Sequence, residues 1–220
     1  MENCVRFPHL QKSEILDGLD ASFKKEFLNS CTARVYKKPA TIFEQGEPAE
    51  DMILVAHGYV NVSYIGEDGH QLFLLRAKSG TTLGESETIS EELCAASCIT
   101  APNTTLLHCP GAELFKALQN PGFIKNMTRI FHKRLVYDNW VKHISQYGAV
   151  GQRLRGYLYV LSENVGTVSE TQSYLANVVG CSRQTINREL AHLRDAGLIT
   201  QTGSEITVLD RNALGEGLMD

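Results

Sequence analysis

The 220-residue sequence predicts an α+β protein in three parts: an N-terminal antiparallel β-barrel or roll, a long helix, and a C-terminal winged helix-turn-helix. Three observations carry that prediction. Glycines 46, 58, 69 and 80 recur at intervals of eleven or twelve residues, the spacing of short strands joined by turns. After "QNPG" the chain runs to Tyr147 with neither Gly nor Pro, which suits one uninterrupted helix. Beyond it, helix-start and helix-stop signals follow one another closely, and two short apolar stretches flank Gly203. The expected domain boundaries are 1–120, 121–147 and 148–220.

Composition excludes several classes. Apolar residues make up 43% and charged residues 21%, as in a folded globular chain and unlike a disordered one. No apolar run approaches the roughly 18 residues of a membrane span. The opening "MENCVRFPHL" holds no signal-peptide core, so a cytoplasmic protein without a membrane partner is expected. Six cysteines (4, 31, 94, 98, 109 and 181) are scattered and in a reducing compartment read mostly as small buried hydrophobes. A net charge of −4 does not advertise a nucleic-acid partner, and the last seventy residues hold six Arg, no Lys and eight acidic side chains. Local charge decides such cases, because a phosphate within a Debye length of about 8 Å feels the face presented to it.

The chain opens on a helical pattern (Leu16, Leu19, Phe23, Phe27) and reads as β from about Ala33 to Leu107. "YVNVSYI" alternates apolar and polar residues, "GEDG" supplies a turn, and "HQLFLLR" returns. In the long helix Met127, Ile130, Arg134, Tyr137, Val141 and Ile144 recur at alternating spacings of three and four, an a/d seam over about three heptads. Ile124, Phe131 and Leu135 form a second apolar stripe on a neighbouring face. Two stripes imply two neighbours, the roll of the same chain and a second copy of the helix. The charges between them (Lys125, Arg129, Lys133, Lys142) oppose burial all round, so a homodimer is expected. Asp138 adjoins the seam. Either it faces its twofold mate, where two partly desolvated carboxylates oppose association, or it faces solvent beside Lys142.

The third part begins "AVGQRLRGYLYVLSENVG" and reads as helical until Thr167. Ser169 and Thr171 are alternative N-caps for a short helix ending at Gly180, Ser169 forming a capping box with Gln172. Ser182 caps the next helix, which runs to about Ala196. Within "VGCSRQTINREL", Arg183, Gln184, Asn187 and Arg188 share one helical face while Ile186, Leu190 and Leu193 take the opposite one. The result is a helix-turn-helix whose inner space Leu175, Ala176, Val178 and Leu198 also fill. Its outward face carries two guanidinium groups, two carboxamides and no acid, which suits base edges in a DNA major groove: Arg on guanine, Gln on adenine. Thr171, Gln172, Ser182 and Thr185 lie at helix starts, where hydroxyls and free N–H groups hold phosphates. "LITQTGSEITVLD" closes the domain as two strands about Gly203, a wing.

At these residues the chain resembles a known family. "IFEQGEPAEDMILVAHGYVNV", "GESE" and "VGCSRQTINREL" resemble the first roll strands, the glycine–glutamate turn and the recognition helix of the CRP/FNR regulators, over roughly Phe23 to Asp210. The resemblance implies a cyclic-nucleotide-binding-like β-roll that senses an effector, a dimerising helix, and a winged helix-turn-helix on double-stranded DNA with a two-fold operator. It implies a transcription regulator and not an enzyme, with Arg183, Gln184 and Arg188 at the base-reading positions. RNA polymerase is an implied partner, the acidic turn Glu67–Asp68 being one candidate contact. Many members carry Glu where this chain has Gln184, so the family's usual half-site is not assumed.

The resemblance also places an effector pocket at Gly84, Glu85, Ser86, Ala95, Ala96 and Cys98 of the roll, with Leu135, Asp138 and Asn139 of the helix. Cyclic-nucleotide-binding members have Arg–Ser or Arg–Thr where an ungapped reading puts Ala95–Ala96. A cyclic phosphate would lack its guanidinium there, leaving a buried charge unpaired. Another small effector of unknown identity, or redox state, is expected; a constitutive regulator without effector is the alternative. Iron–sulfur members have three closely spaced N-terminal cysteines, whereas Cys4 stands alone before Cys31. Haem is conceivable on His57, His70 or His108. A thiol switch or metal site is conceivable on Cys94, Cys98, His108 and Cys109, or at Cys181 beside the recognition helix. A catalytic cupin would need a His-x-His pair followed by glutamate, which the sequence lacks.

Overall fold

The computed structural model describes residues 2–67, 69, 71–162, 166–168, 171–203 and 205–216. Contacts divide the chain into two units, Met1–His132 and Lys133–Asp220. In the first, α1 (Asn3–Arg6), two 3-10 turns (Pro8–Lys12 and Glu14–Leu16) and α2 (Ala21–Ser30) precede the strands. The opening helical pattern is thus two elements rather than one. The Asp20 carboxylate accepts from the Phe23 N–H at 2.8 Å and so starts α2 afresh, leaving Leu16 and Leu19 outside it.

The strands are β1 (Thr32–Tyr36), β2 (Thr41–Phe43), β3 (Asp51–His57), β4 (Tyr59–Ile65), β5 (Gln71–Lys78), β6 (Thr82–Leu83), β7 (Ser97–Thr100) and β8 (Thr104–Pro110). They form two antiparallel four-stranded sheets, ordered β1-β8-β3-β6 and β2-β7-β4-β5, the roll that the sequence predicts. β3 and β8 do not alternate apolar with polar, because both of their faces are covered. Met52, Leu54, Ala56, Leu107 and Cys109 join a core shared with the helices, while Ile53, Val55 and Leu106 fill the roll interior with Phe43, Val60, Val62, Cys94 and Cys98. After β6, α3 (Glu85–Ser90) begins at Gly84, which takes the left-handed conformation (φ 78°). α4 (Gly111–Ala117) leads to the long helix α5 (Pro121–Tyr147).

Helix α5 corrects the expected seam at Met127 and Ile130. Phe123, Met127 and Ile130 are buried in the helical core of the first unit, and the Asn126 side chain donates to the backbone oxygens of Ile15 and Asp17 at 3.1 and 2.7 Å. Met127 and Ile130 are therefore consumed within their own chain. They occupy the face that meets the roll, one step round the helix from the row that stays open. That row holds Ile124 and Leu135, 45% and 58% exposed, with Phe131 half-buried between them and Val136 exposed beside it. Arg134 and Tyr137 are half-buried; the side chains of Val141 and Ile144 lie outside the described residues.

The second unit continues with α6 (Val150–Leu161), β9 (Thr167–Val168), α7 (Gln172–Val179), α8 (Arg183–Asp195), β10 (Ile199–Thr202), β11 (Glu205–Val208) and α9 (Arg211–Gly215). Thr167 is not the end of a helix but the start of a strand: Val168 pairs with Ile206, so the wing has three strands, β10-β11-β9. The wing's third strand escapes a sequence reading because two residues give no periodicity.

The Gly84 turn offers a stability test. A Cβ there would lie 2.5 Å from the Phe43 ring, on a backbone that already favours glycine. Gly84→Ala is expected to lower the unfolding free energy by about 2–4 kcal/mol, combining left-handed strain with overpacking. Urea unfolding measures it, and an unchanged midpoint would show that the turn relaxes freely.

Candidate nucleic-acid interface

The corner between α7 and α8 is built by three consecutive residues. Gly180 takes the left-handed conformation (φ 68°), and the Cys181 N–H reaches back to the Ala176 oxygen at 2.9 Å, the wrap-around bond of a Schellman ending. Ser182 then caps α8, its Oγ accepting from the Thr185 N–H at 3.1 Å and sharing a 2.9 Å bond with the Thr185 hydroxyl. Thr171 does the same for α7, accepting from the Tyr174 N–H at 3.1 Å, so Thr171 is the cap and Ser169 lies outside the described residues. A capping oxygen that accepts from the backbone keeps its own hydrogen, so the Thr171 hydroxyl is still a donor for a phosphate. Gln172 and Thr185 are half-buried and Ser182 is exposed.

Packing aims the helix. Ile186, Leu190 and Leu193 are buried, as are Leu175, Ala176 and Val179 on α7, Leu154, Leu158 and Leu161 on α6, and Val168, Ile199 and Ile206 on the wing. Helical spacing leaves Arg183, Gln184, Asn187 and Arg188 exposed together on the outer side, as predicted. Of the two acids on this helix, Asp195 is in its last turn and Glu189 is mostly buried, its carboxylate lying against Gly151 in the first turn of α6, where a helix N-terminus favours negative charge.

Net charge misleads because the six arginines of this region have different duties. Arg153 donates to the Val179 oxygen at 2.8 Å and the Gly148 oxygen at 2.9 Å, tying α6 to the end of α7. Arg155 donates to the oxygens of Ala213, Leu214 and Glu216, closing α9. Arg211 lies 3.7 Å over the Tyr159 ring and donates to its oxygen. Arg194 donates to Gln201 at 2.8 Å, joining α8 to the wing. Arg183 has no acidic partner among the described residues, and Arg188 makes only a loose 3.7 Å contact with Glu189. The Arg194–Gln201 bridge and the backbone duties of Arg153 and Arg155 escape sequence reading, since nothing in their spacing separates a capping arginine from a reading one.

The expected effector residues are scattered in character. Gly84 is held under Phe43, Glu85 is buried with its carboxylate accepting from the Thr82 hydroxyl at 2.9 Å, and Ser86 is exposed beside Glu87. Ala95 is exposed, Ala96 packs half-buried against the roll interior, and Cys98 is part of that interior. On α5, Leu135, Asp138 and Asn139 are exposed. The segment from Gly84 to Ala96 carries four glutamates and no basic residue.

Two further expectations are corrected. Cys94 and Cys98 face the roll interior while Cys109 faces the helical core, so the three thiols do not converge, and no cluster of three metal-binding side chains occurs among the described residues. His108 is unsuited to haem iron because both ring nitrogens are engaged: Nδ1 with Asp51 Oδ2 at 2.5 Å and Nε2 with the Tyr36 hydroxyl at 2.9 Å. His57 is exposed at the end of β3, and His70, like Asp68 of the acidic turn, lies outside the described residues. No helix among the described residues is long and apolar enough to cross a membrane.

The chain matches the family model of the cyclic nucleotide-binding domain over residues 33–120 and that of the Crp-like helix-turn-helix domain over residues 152–216. It is 26% identical over 197 residues to the cAMP-activated global transcriptional regulator CRP of Salmonella typhimurium, covering 83% of this chain and 91% of that protein. It is 24% identical over 195 residues to the global nitrogen regulator of Synechococcus elongatus, covering 82% of this chain and 87% of that protein. The solved structure of the c-di-GMP-responsive global regulator CLP of Xanthomonas campestris shares the fold, with TM-score 0.68 at 23% identity over 87% of this chain and 100% of that one.

Two arginines separate fold from recognition. Arg188→Ala is expected to leave stability within about 0.5 kcal/mol of the parent and to weaken duplex binding by about 1–3 kcal/mol. Arg153→Ala should cost about 1.5–3 kcal/mol of stability through two lost charged hydrogen bonds. Thermal unfolding and fluorescence anisotropy on both variants measure the split; a large stability loss in Arg188→Ala would make it a structural residue.

Proposed function

The chain belongs to the CRP/FNR family of DNA-binding transcriptional regulators, a family of regulators and not of enzymes, and on that premise we propose that it acts as a homodimer on a two-fold operator under control of its roll. The roll (1–120) senses, α5 (121–147) couples two copies, and the winged domain (148–220) engages DNA. One observation carries the reading: the only arginines of the winged domain not committed to its own backbone, ring or wing contacts, among the described residues, are the two on the outer face of α8. In this reading Arg183 and Arg188 fork onto guanine edges and Gln184 onto adenine, while Asn187 reaches a base edge or phosphate. Thr171, Gln172, Ser182 and Thr185 set the register on phosphates. Two such helices enter successive major grooves about 34 Å apart. RNA polymerase is the downstream partner.

The effector is a small molecule other than a cyclic nucleotide, or the redox state of the roll. The names of several relatives speak of cAMP and c-di-GMP, yet the segment from Gly84 to Ala96, where the resemblance puts the phosphate, carries four glutamates and no basic residue. Desolvating an anion there, with no opposite charge, is unfavourable.

The dimer face follows from what α5 leaves open: Ile124, Leu135 and Val136, with Phe131, which also packs on the core of its own chain, half-buried between the first two. Asp138, three residues past Leu135, continues that row.

Selection of bound duplexes from a random pool tests the whole reading. The expected product is an inverted repeat with half-sites one helical turn apart, bound with an affinity that falls steeply with salt. A single unrepeated site, or no enrichment, overturns it.

Asp138 gives a pH test. Partial burial raises its carboxyl above the usual range, Arg134 pulling the other way. A raised carboxyl is protonated, and its repulsion relieved, as pH falls through that raised value; the repulsion is full above it. Dimerisation should strengthen from pH 7 to pH 5, and Asp138→Ala should strengthen it at pH 7 while losing that part of the dependence. Sedimentation equilibrium decides, an unchanged constant in the variant removing the facing pair.

A further inference from the structure

The β1–β8 ladder ends with Thr32 opposite His108, and the same register carried one residue further sets Cys31, just before β1, across from Cys109. Parity turns both side chains into the helical core, where both are buried. There Cys31 Sγ donates to the Phe27 oxygen at 3.2 Å and Cys109 Sγ lies 3.8 Å from the Pro110 oxygen. Facing residues of an antiparallel pair have Cα atoms about 4.5–5.5 Å apart, inside the roughly 4.4–6.8 Å that a disulfide spans. Access differs between the two. Cys31 helps line a surface depression of about 440 Å³ with Glu2, Asn3, Asn29 and Ala33, which Cys109 does not reach. The Cys31 sulfur beside it and its burial push the Cys109 thiol up, so Cys109 keeps its proton, while Cys31 is the residue of the pair that borders the depression.

We propose that Cys31 and Cys109 are a dithiol modification site that a hydroperoxide converts to an intramolecular disulfide. The Cys31 thiolate attacks one peroxide oxygen; the S–O bond forms as the O–O bond breaks, and the alkoxide or hydroxide leaves protonated. Cys31 is then a sulfenic acid, oxidised by two electrons. Cys109 gives up its proton as its sulfur attacks that of Cys31, and the hydroxyl leaves with the proton as water. Two thiols and one hydroperoxide thus give one disulfide, one alcohol (or water) and one water. The product ties the end of α2 to the end of β8 just ahead of α4. It deepens the redox arm of the function proposed above in naming its residues, although the chemistry itself stands without DNA.

The test treats the full-length protein with graded hydrogen peroxide, quenches with acid, alkylates remaining thiols and maps peptides by mass spectrometry. Half-buried Cys181 serves as the internal measure of dose. The expected result is a Cys31–Cys109 linked peptide, lost on adding a thiol reductant, at doses no higher than those that oxidise Cys181. In Cys109→Ser, Cys31 should accumulate as a sulfenic acid trapped by dimedone; in Cys31→Ser, Cys109 should stay reduced. The wild-type map alone decides should either variant fail to fold. Both residues remaining thiols after Cys181 is oxidised overturns the site, as does a linked peptide joining Cys31 to Cys4. Duplex binding is scored on the reduced protein: a disulfide formed by a protein that binds no duplex sinks the proposed function and leaves the site standing.

Discussion

The pairing of β3 with β8 is the constraint from which the first unit follows. Ile53 faces His108 and Leu54 faces Leu107, and both strands are covered on both sides. A slip of one residue would exchange every side chain between the two cores. It would carry Met52, Leu54 and Cys109 into a roll already filled by Phe43, Val60 and Val62, and the Asp51–His108–Tyr36 hydrogen bonds would be left in an apolar helical core. Register is therefore fixed by both faces at once. The same parity that buries Cys109 against Cys31 keeps it away from Cys94 and Cys98.

In the second unit the governing quantity is the destination of each charge rather than their sum. Four guanidinium groups are spent on carbonyl oxygens, an aromatic face and a wing glutamine, where they do the work of helix caps. One carboxylate of α8 is turned inward against the start of α6. What remains outward on the N-terminal half of α8 is cationic and carboxamide-bearing although the chain as a whole is acidic. An anionic polymer is attracted over a Debye length, so it responds to this face and is insulated from the acids elsewhere.

The parts legible in the sequence were those with a strong period or a strong stop. The α7–α8 corner was legible because Gly180 and Ser182 are conformational specialists placed three residues before an amphipathic repeat. The roll was legible from glycine spacing. Illegible were facts that depend on which of two buried faces a residue takes: Cys109 against Cys98, or Met127 against Ile124. Both members of each pair are apolar enough for either side, and only the neighbouring elements decide. The stripe on α5 illustrates this: the a/d repeat through Met127 and Ile130 was real, but the chain itself supplied its partner.

The turn after β6 shows why a matching motif need not carry a matching ligand. Gly84 is required by its left-handed backbone and the Phe43 ring above it, and the Glu85 side chain is held inside by the Thr82 hydroxyl. The geometry of the roll thus accounts for Gly84 and for one of the two carboxylate oxygens of Glu85. Ala95 is exposed and Ala96 only partly packed, so side chains at those positions can change at little cost to the fold. The glycine of the glycine–glutamate turn therefore reports architecture, whereas the two alanines are under little structural constraint. A fold retained under structural constraint, with exposed positions beside it free to vary, permits one architecture to be kept while local chemistry changes.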